Sequence, residues 1–425
     1  MISLGRGGKS ARLFGSAIIM QALLSATNLL VGLILIRHTA NAEYGMYVLV
    51  TTASLLLSTL QSAFIQPPLV MRISKATLEE RSNLVGGVYR GQQRVWARLG
   101  AAAIVLIAIL WLIGRIDNRL AILCLAAVAA LAAALYREFF RMVTLSYRRA
   151  DDALKADACY GALMLAGVPL ATLMPAPAVG ALLVLCVSAL VGGTILRRLL
   201  WRFEAWNPKA SPALWHEMVP LGSWSALGAG THWGFSQGYN YVVAAILDVG
   251  AVAALAATRL LMMPINLLSS GISQLMMATA SSWLLHHGAR SLLKRLMMIA
   301  AGLGALACCY FLFVWFFQDW IFEHLMKKHF DHTPELVAAW SAVFLVMLIR
   351  DQLNFFPAAC GLHRLQTFVT AGAATASLVV GHFMIARLGV VGAPITVLVG
   401  ELCNVGGLFW LSRREIRARE EVAAS

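Results

Sequence analysis

The chain has 425 residues, of which 60% are hydrophobic and 13% charged, with a mean hydropathy of +0.75 and a formal net charge of +14. A soluble domain carries about 25% charged and roughly 45–50% apolar residues, so this composition excludes an ordinary soluble protein and marks a polytopic membrane protein. Apolar runs of roughly 20 residues, enough to cross about 30 Å of hydrocarbon, recur along the whole chain and leave no separate soluble domain.

Twelve spans are predicted in chain order: 13–36, 45–71, 96–114, 120–145, 158–175, 180–200, 218–247, 253–282, 296–320, 336–359, 365–386 and 391–412. The first follows Arg6, Lys9 and Arg12. It runs too far for a secretory signal and lacks a small-residue cleavage site, so it reads as an uncleaved helix. Most of the 34 lysines and arginines fall in alternate loops, while the opposite loops hold Arg37, Arg115, Arg119, Lys327, Lys328 and Arg387. Basic residues resist translocation, so both termini are expected in the cytoplasm. Four arginines remain inside spans: Arg137, Arg141, Arg259 and Arg350. The positive charge thus faces anionic headgroups, and nucleic acid is not expected as a partner. The seven cysteines lack the loop spacing of a disulfide framework or a zinc site and read as small core residues.

Three echoes run through the chain. Gly15-Ser16 and Gly222-Ser223 open the first and seventh spans, 207 residues apart. Arg137-Glu138 in the fourth span is matched by Arg350-Asp351 in the tenth, 213 apart, and Val191-Gly192-Gly193 by Val405-Gly406-Gly407, 214 apart. They keep chain order, as two similarly oriented six-helix bundles related by an internal repeat would. The expected organisation is an N-lobe (1–200), an interfacial cytoplasmic linker with Trp201, Trp206 and Trp215 (201–217), a C-lobe (218–412) and a cytoplasmic tail (413–425).

The turn after the first span, Arg37-His38-Thr39-Ala40-Asn41-Ala42-Glu43-Tyr44-Gly45-Met46-Tyr47, resembles the R-x-L-G-P-x-x-Y-G-x-Y turn of the Wzx-type polysaccharide flippases. These belong to the multidrug/oligosaccharidyl-lipid/polysaccharide exporter superfamily. Tyr136-Arg137-Glu138-Phe139-Phe140-Arg141 and the span count add to the likeness, whereas His38-Thr39-Ala40-Asn41 departs from the family's Leu-Gly-Pro. The resemblance implies a non-enzymatic flippase of the bacterial inner membrane with two lobes, alternating access and an undecaprenyl-pyrophosphate-linked oligosaccharide as cargo. It would serve O-antigen, capsule or exopolysaccharide synthesis beside a polysaccharide polymerase and chain-length regulator. Arginine forks match phosphate oxygens, so span arginines become candidate pyrophosphate ligands.

Among them Arg259 lies early in the eighth span on a face continued by Asn266, Ser270 and Ser273, and its repeat counterpart is Thr52. It reads as a headgroup ligand or an outer-interface anchor. Arg350 and Asp351 precede Gln352, Asn354 and Pro357 and could line a wet surface; Arg137 and Arg141 could line the inward mouth or snorkel, with Glu138 pairing Arg141 along the helix. Glu401, near the middle of the last span, is a candidate with Asp351 for proton or sodium coupling, or else a buried partner of Asn404 or an arginine. No cofactor is expected. Gln21, Ser25 and Asn28 share one face of the first span and His232, Ser236 and Asn240 one face of the seventh, suited to sugar contacts or to interhelical hydrogen bonds. Pro67, Pro68 and Pro264 are hinge candidates or ordinary packing kinks.

Two decoys carry no function. SLGRGGKS has Ser3 where a phosphate-binding loop begins with glycine and no strand before it, and His324, His329 and His332 lack convincing zinc spacing. A cation-coupled multidrug exporter of the same superfamily is the main rival, but four span arginines against Glu138, Asp351 and Glu401 favour anionic cargo. A membrane polymerase or ligase would carry a large outer loop, and the longest here, about 321–335, is short; no motif pairs a nucleophile with a base.

Overall fold

The computed structural model describes the backbone of residues 4–73, 76–147, 149–203 and 206–424. Lys75 and Arg148 lie outside the described residues, as do the side chains of Arg6, Lys9, Arg12, Ser270 and Ser273. The described chain is helical with no strand, and divides into two compact units, Met1–Gly230 and Thr231–Ser425. Nine helical stretches among the described residues are long and apolar enough to cross a membrane.

The first unit contains α1 (Leu4–His38), α2 (Asn41–Ile73), α3 (Leu78–Leu112), α4 (Asn118–Ser146), α5 (Ala150–Ala171), α6 (Pro177–Phe203), a 3-10 segment (Pro212–Met218) and the first part of α7 (Val219–Gln237). α4 packs on α6, and α5 bridges α6 and α1. At one end Phe139 and Phe140, both fully buried, join Tyr89 and Trp206 in an aromatic cluster with centroid separations of 5.1–5.9 Å. This sorts the YREFFRM segment into two faces: the phenylalanines fill the core while Arg137 and Arg141 turn toward α5.

The linker is seated on protein. Trp206 is buried in the aromatic cluster and Trp215 stacks on Phe64 at 4.8 Å; Trp201 alone of the three remains widely exposed. Arg90 donates to the carbonyls of Lys209 (2.9 Å) and Ala210 (3.1 Å), and Arg72 pairs with Glu217. A Cβ on Gly86 would lie 1.7 Å from the Asn207 carbonyl oxygen, so only glycine permits this approach. The linker tryptophans expected in the lipid interface are thus largely taken up by contacts to α2 and α3, because rings buried against protein remove more apolar surface from the polar interface.

The motif turn has a structural role. Glu43 is buried, accepts from the Ala178 amide at the start of α6 (2.8 Å) and pairs with Arg119 at the start of α4. One carboxylate therefore caps a helix N-terminus, where the dipole favours negative charge, and clasps three helices together.

The second unit contains the end of α7, α8 (Tyr239–Ile246), α9 (Val249–Leu260), α10 (Met263–Trp320), α11 (Thr333–Leu353), α12 (Phe355–Ala359), α13 (His363–Leu388) and α14 (Gly392–Ala424). The breaks in the seventh and eighth spans and the place of Pro264 depart from the sequence expectation, whereas the turn at Gly288 falls in the expected loop between the eighth and ninth spans. The seventh span breaks at Gly238, and the eighth breaks at Leu261–Met262, so Arg259 ends α9 while Asn266 lies beyond a turn. Pro264 falls in the first turn of α10, where its missing N–H has no helical acceptor to lose; it starts a helix rather than kinking one. α10 changes direction at Gly288, whose φ of 77° a side chain would strain. Pro67 and Pro68 stay within an unbroken α2. Cys308, Cys309 and Cys403 are exposed, so the cysteines are not uniformly core residues.

Substituting Glu43 by Ala removes the α6 cap and leaves Arg119 unmatched. We expect a loss of about 1–3 kcal/mol, seen as a lower thermal midpoint of the purified protein, with Glu43→Gln intermediate.

Candidate functional site

The span arginines fall into three environments. In the first unit α4 presents Arg137 and Arg141 to Asp157 of α5, which is fully buried. Arg137 pairs with one carboxylate oxygen, Arg141 Nε donates to the other at 3.0 Å, and the Arg137 guanidinium lies 3.8 Å from the centroid of the Tyr160 ring. Glu138 lies 3.6 Å from Arg141 and accepts from Ser62 Oγ at 3.4 Å. Both arginines are thus held inside their unit by Asp157, an acid that lies just before the fifth expected span (158–175) and so is missing from the sequence count of span acids. α5 begins at Ala150, and Asp157 is in its interior.

In the second unit α11 buries Arg350, 5% exposed, against two acids. Nη1 donates to Glu401 of α14 at 2.5 Å, and Nη2 donates to Asp351 Oδ1 at 2.7 Å; the other Asp351 oxygen accepts from Ser269 at 2.8 Å. Glu401 therefore has the arginine partner that was one of its two readings. Its second oxygen and the side-chain oxygens of Asn404, Gln352 and Asn240, all buried, have no hydrogen-bond partner among the described residues. His232 is close enough to both Arg350 and Asp351 to feel their charges.

The repeat reappears in these contacts. Ser62 and Ser269 stand 207 residues apart, as do the glycine-serine pairs that open the first and seventh spans, and each donates to the acid that follows the repeated arginine, Glu138 or Asp351. This hydroxyl–carboxylate bond links the second and fourth expected spans of each half, a correspondence invisible until the chain folds.

Arg259 is held differently. Its Nη1 donates to Gln237 Oε1 and to the Tyr239 hydroxyl, both at 2.8 Å, and to the Ser236 carbonyl at 3.4 Å, next to the helix break at Gly238. Its guanidinium lies 5.3 Å from the Trp340 ring centroid and 5.8 Å from that of Tyr239. No carboxylate is within salt-bridge distance of it among the described residues, and the side chain is partly exposed. Adding Asp157 to the account balances four span arginines with four acids, so the general basic excess expected from sequence is absent. The positive charge without a direct acidic partner is concentrated at Arg259.

Other sequence candidates scatter. Asn28 and Asn266 are exposed, Gln21 is half-buried, and Asn240 is buried beyond the break at Gly238, donating to the Gln237 carbonyl at 3.1 Å.

No family model matches the sequence, and no curated protein matches it. Solved structures do match in fold. A multidrug resistance MATE family transporter of the MOP superfamily, inward-facing, aligns with a TM-score of 0.75 at 15% identity over 97% of this chain and 99% of its own. The lipid II flippase MurJ, inward closed, aligns at 0.73 and 11% identity over 94% and 87%. A MOP superfamily transporter from Pyrococcus furiosus, described as having a binding pocket of reverse polarity, aligns at 0.65 and 14% over 96% and 96%. At these identities the likeness is one of fold. The chain shares the helical fold of these transporters, and nine of its helical stretches among the described residues are long and apolar enough to cross a membrane.

Changing Asp157 to Ala leaves two buried guanidinium groups without their shared carboxylate. The expected cost is about 3–5 kcal/mol, read as a strong drop in thermal midpoint or in yield of folded protein; Arg137→Ala in the same chain recovers part of it.

Proposed function

We propose that the protein is an inner-membrane flippase that carries an undecaprenyl-pyrophosphate-linked oligosaccharide from the cytoplasmic to the periplasmic leaflet by alternating access, with twelve spans and both termini in the cytoplasm. The observation that carries this reading is Arg259. A partly exposed guanidinium with hydrogen bonds only to neutral groups keeps its charge for an incoming anion, and its fork suits a diphosphate. The flanking Tyr239 and Trp340 rings, both buried, hold the guanidinium in place without neutralising it. Arg350 is saturated by Asp351 and Glu401, so it holds the site together in this conformation and could meet cargo only by exchanging a partner. That the fold is shared with a flippase of lipid II supports the cargo class.

Glu401 would couple the cycle to an ion. It is buried, one oxygen faces no partner among the described residues, and it is near enough to Arg259 to feel its charge. An anion on Arg259 and a negative Glu401 oppose each other, so cargo binding and cation or proton uptake at Glu401 reinforce one another; the other charges facing it are Arg350 and Asp351.

Purified protein in vesicles should translocate a defined undecaprenyl-diphosphate-linked saccharide. Arg259→Ala should lower the rate about tenfold or more, the loss of one charge-assisted contact, and Arg259→Lys should retain part of it. Uptake of ethidium with no saccharide translocation would instead support the drug-exporter reading. Wild-type transport should follow an imposed proton or sodium gradient, and Glu401→Gln, which still accepts from Arg350, should abolish that dependence; equal gradient response in both proteins would remove the coupling role.

A further inference from the structure

No residue of α3 beyond Gln92 is buried, although the helix continues to Leu112. Between its outer half and the start of α4 lies an apolar furrow of about 530 Å³. The walls are Ile104, Ala108 and Trp111 on one side and Ala121, Ile122 and Leu125 on the other. At the end nearest the connecting turn the furrow is closed by a bond across it, Trp111 Nε1 donating to Asn118 Oδ1 at 2.7 Å. An indole with a polar edge at the end of an apolar channel suits the boundary between acyl chains and headgroups.

Beyond that bridge the turn is basic. Arg115 is exposed, and Arg119 is 62% exposed even while it touches Glu43. Of the nearby acids, Asp117 accepts from the Leu120 amide at 2.8 Å, and Glu43, which pairs with Arg119 through one oxygen, holds the start of α6 with the other, so Arg119 keeps donors facing outward. Bulk lipid wets every exposed apolar helix, but here a concave apolar channel ends within one turn of two accessible guanidinium groups. An apolar tail and an anionic head are required at once.

We infer that the α3–α4 furrow is a binding site for one anionic glycerophospholipid, with an acyl chain between the two helices and the headgroup phosphate on Arg115 and Arg119. The site is independent of the cargo assigned to Arg259. Each basic residue near a membrane surface contributes roughly a factor of five in lipid affinity, so the preference should be measurable.

The test uses the full chain in nanodiscs containing phosphatidylglycerol or phosphatidylcholine with bromine-labelled acyl chains, which quench nearby tryptophan fluorescence. Brominated phosphatidylglycerol should quench more than brominated phosphatidylcholine at equal mole fraction. The increment should vanish in Trp111→Phe, return when Ile122→Trp is added to that variant, and fall about fivefold in lipid preference in Arg115→Gln. Equal quenching by the two lipids overturns the proposal, as does an increment that survives Trp111→Phe. Cross-linking of two copies through cysteines placed on α3 in the same nanodiscs also overturns it, since a second chain would then fill the furrow.

Discussion

A guanidinium group surrounded by hydrocarbon must be met by a carboxylate, a ring face or a polar neighbour, and this requirement arranges much of the molecule. Asp157 answers two arginines at once in the first unit; Asp351 and Glu401 together answer one in the second. Each such cluster fixes the rotation of two helices about their axes, because a helix turned by one residue would carry the charge about 100° away from its partner. Glu43 does similar work at the opposite kind of site, using the amide at a helix start in addition to an arginine. Residues that look like functional ornaments in an apolar sequence are in large part the pins of the fold.

The two units share the bond from a serine to the acid beside the repeated arginine, yet complete the cluster from different helices. In the first unit the further acid comes from α5, and the two arginines are met by two acids, Asp157 and Glu138. In the second it comes from α14, and one Glu401 oxygen is left without a hydrogen-bond partner among the described residues. The helix breaks near Arg259 also belong to the second unit, at Gly238 and at Leu261–Met262. A broken helix frees backbone carbonyls that must find donors, and Arg259 supplies one to Ser236. The second unit thus carries two helix breaks and an arginine bonded only to neutral groups, features without a counterpart among the contacts of the first.

The same accounting changes how the charge in the membrane is read. Counted from span boundaries, the arginines exceed the acids; counted from contacts among the described residues, Asp157 meets Arg137 and Arg141, and of the four span arginines only Arg259 lacks an acid beside it. A boundary shift of a few residues at α5 makes the difference.

By itself the sequence determined that the chain is helical with many stretches apolar enough to cross a membrane, and it shows the echo of Arg137-Glu138 in Arg350-Asp351. Those properties depend on local hydropathy and on spacing along the chain, which a linear reading contains. Tertiary structure alone decided that Asp157 meets both Arg137 and Arg141, that Glu401 meets Arg350, that Trp206 and Trp215 are held against protein, and that helices break on either side of Arg259. These depend on which residues distant in sequence come within about 3 Å of each other. A hydrogen bond is that short-ranged, and periodicity along one helix says nothing of what the next helix brings to it.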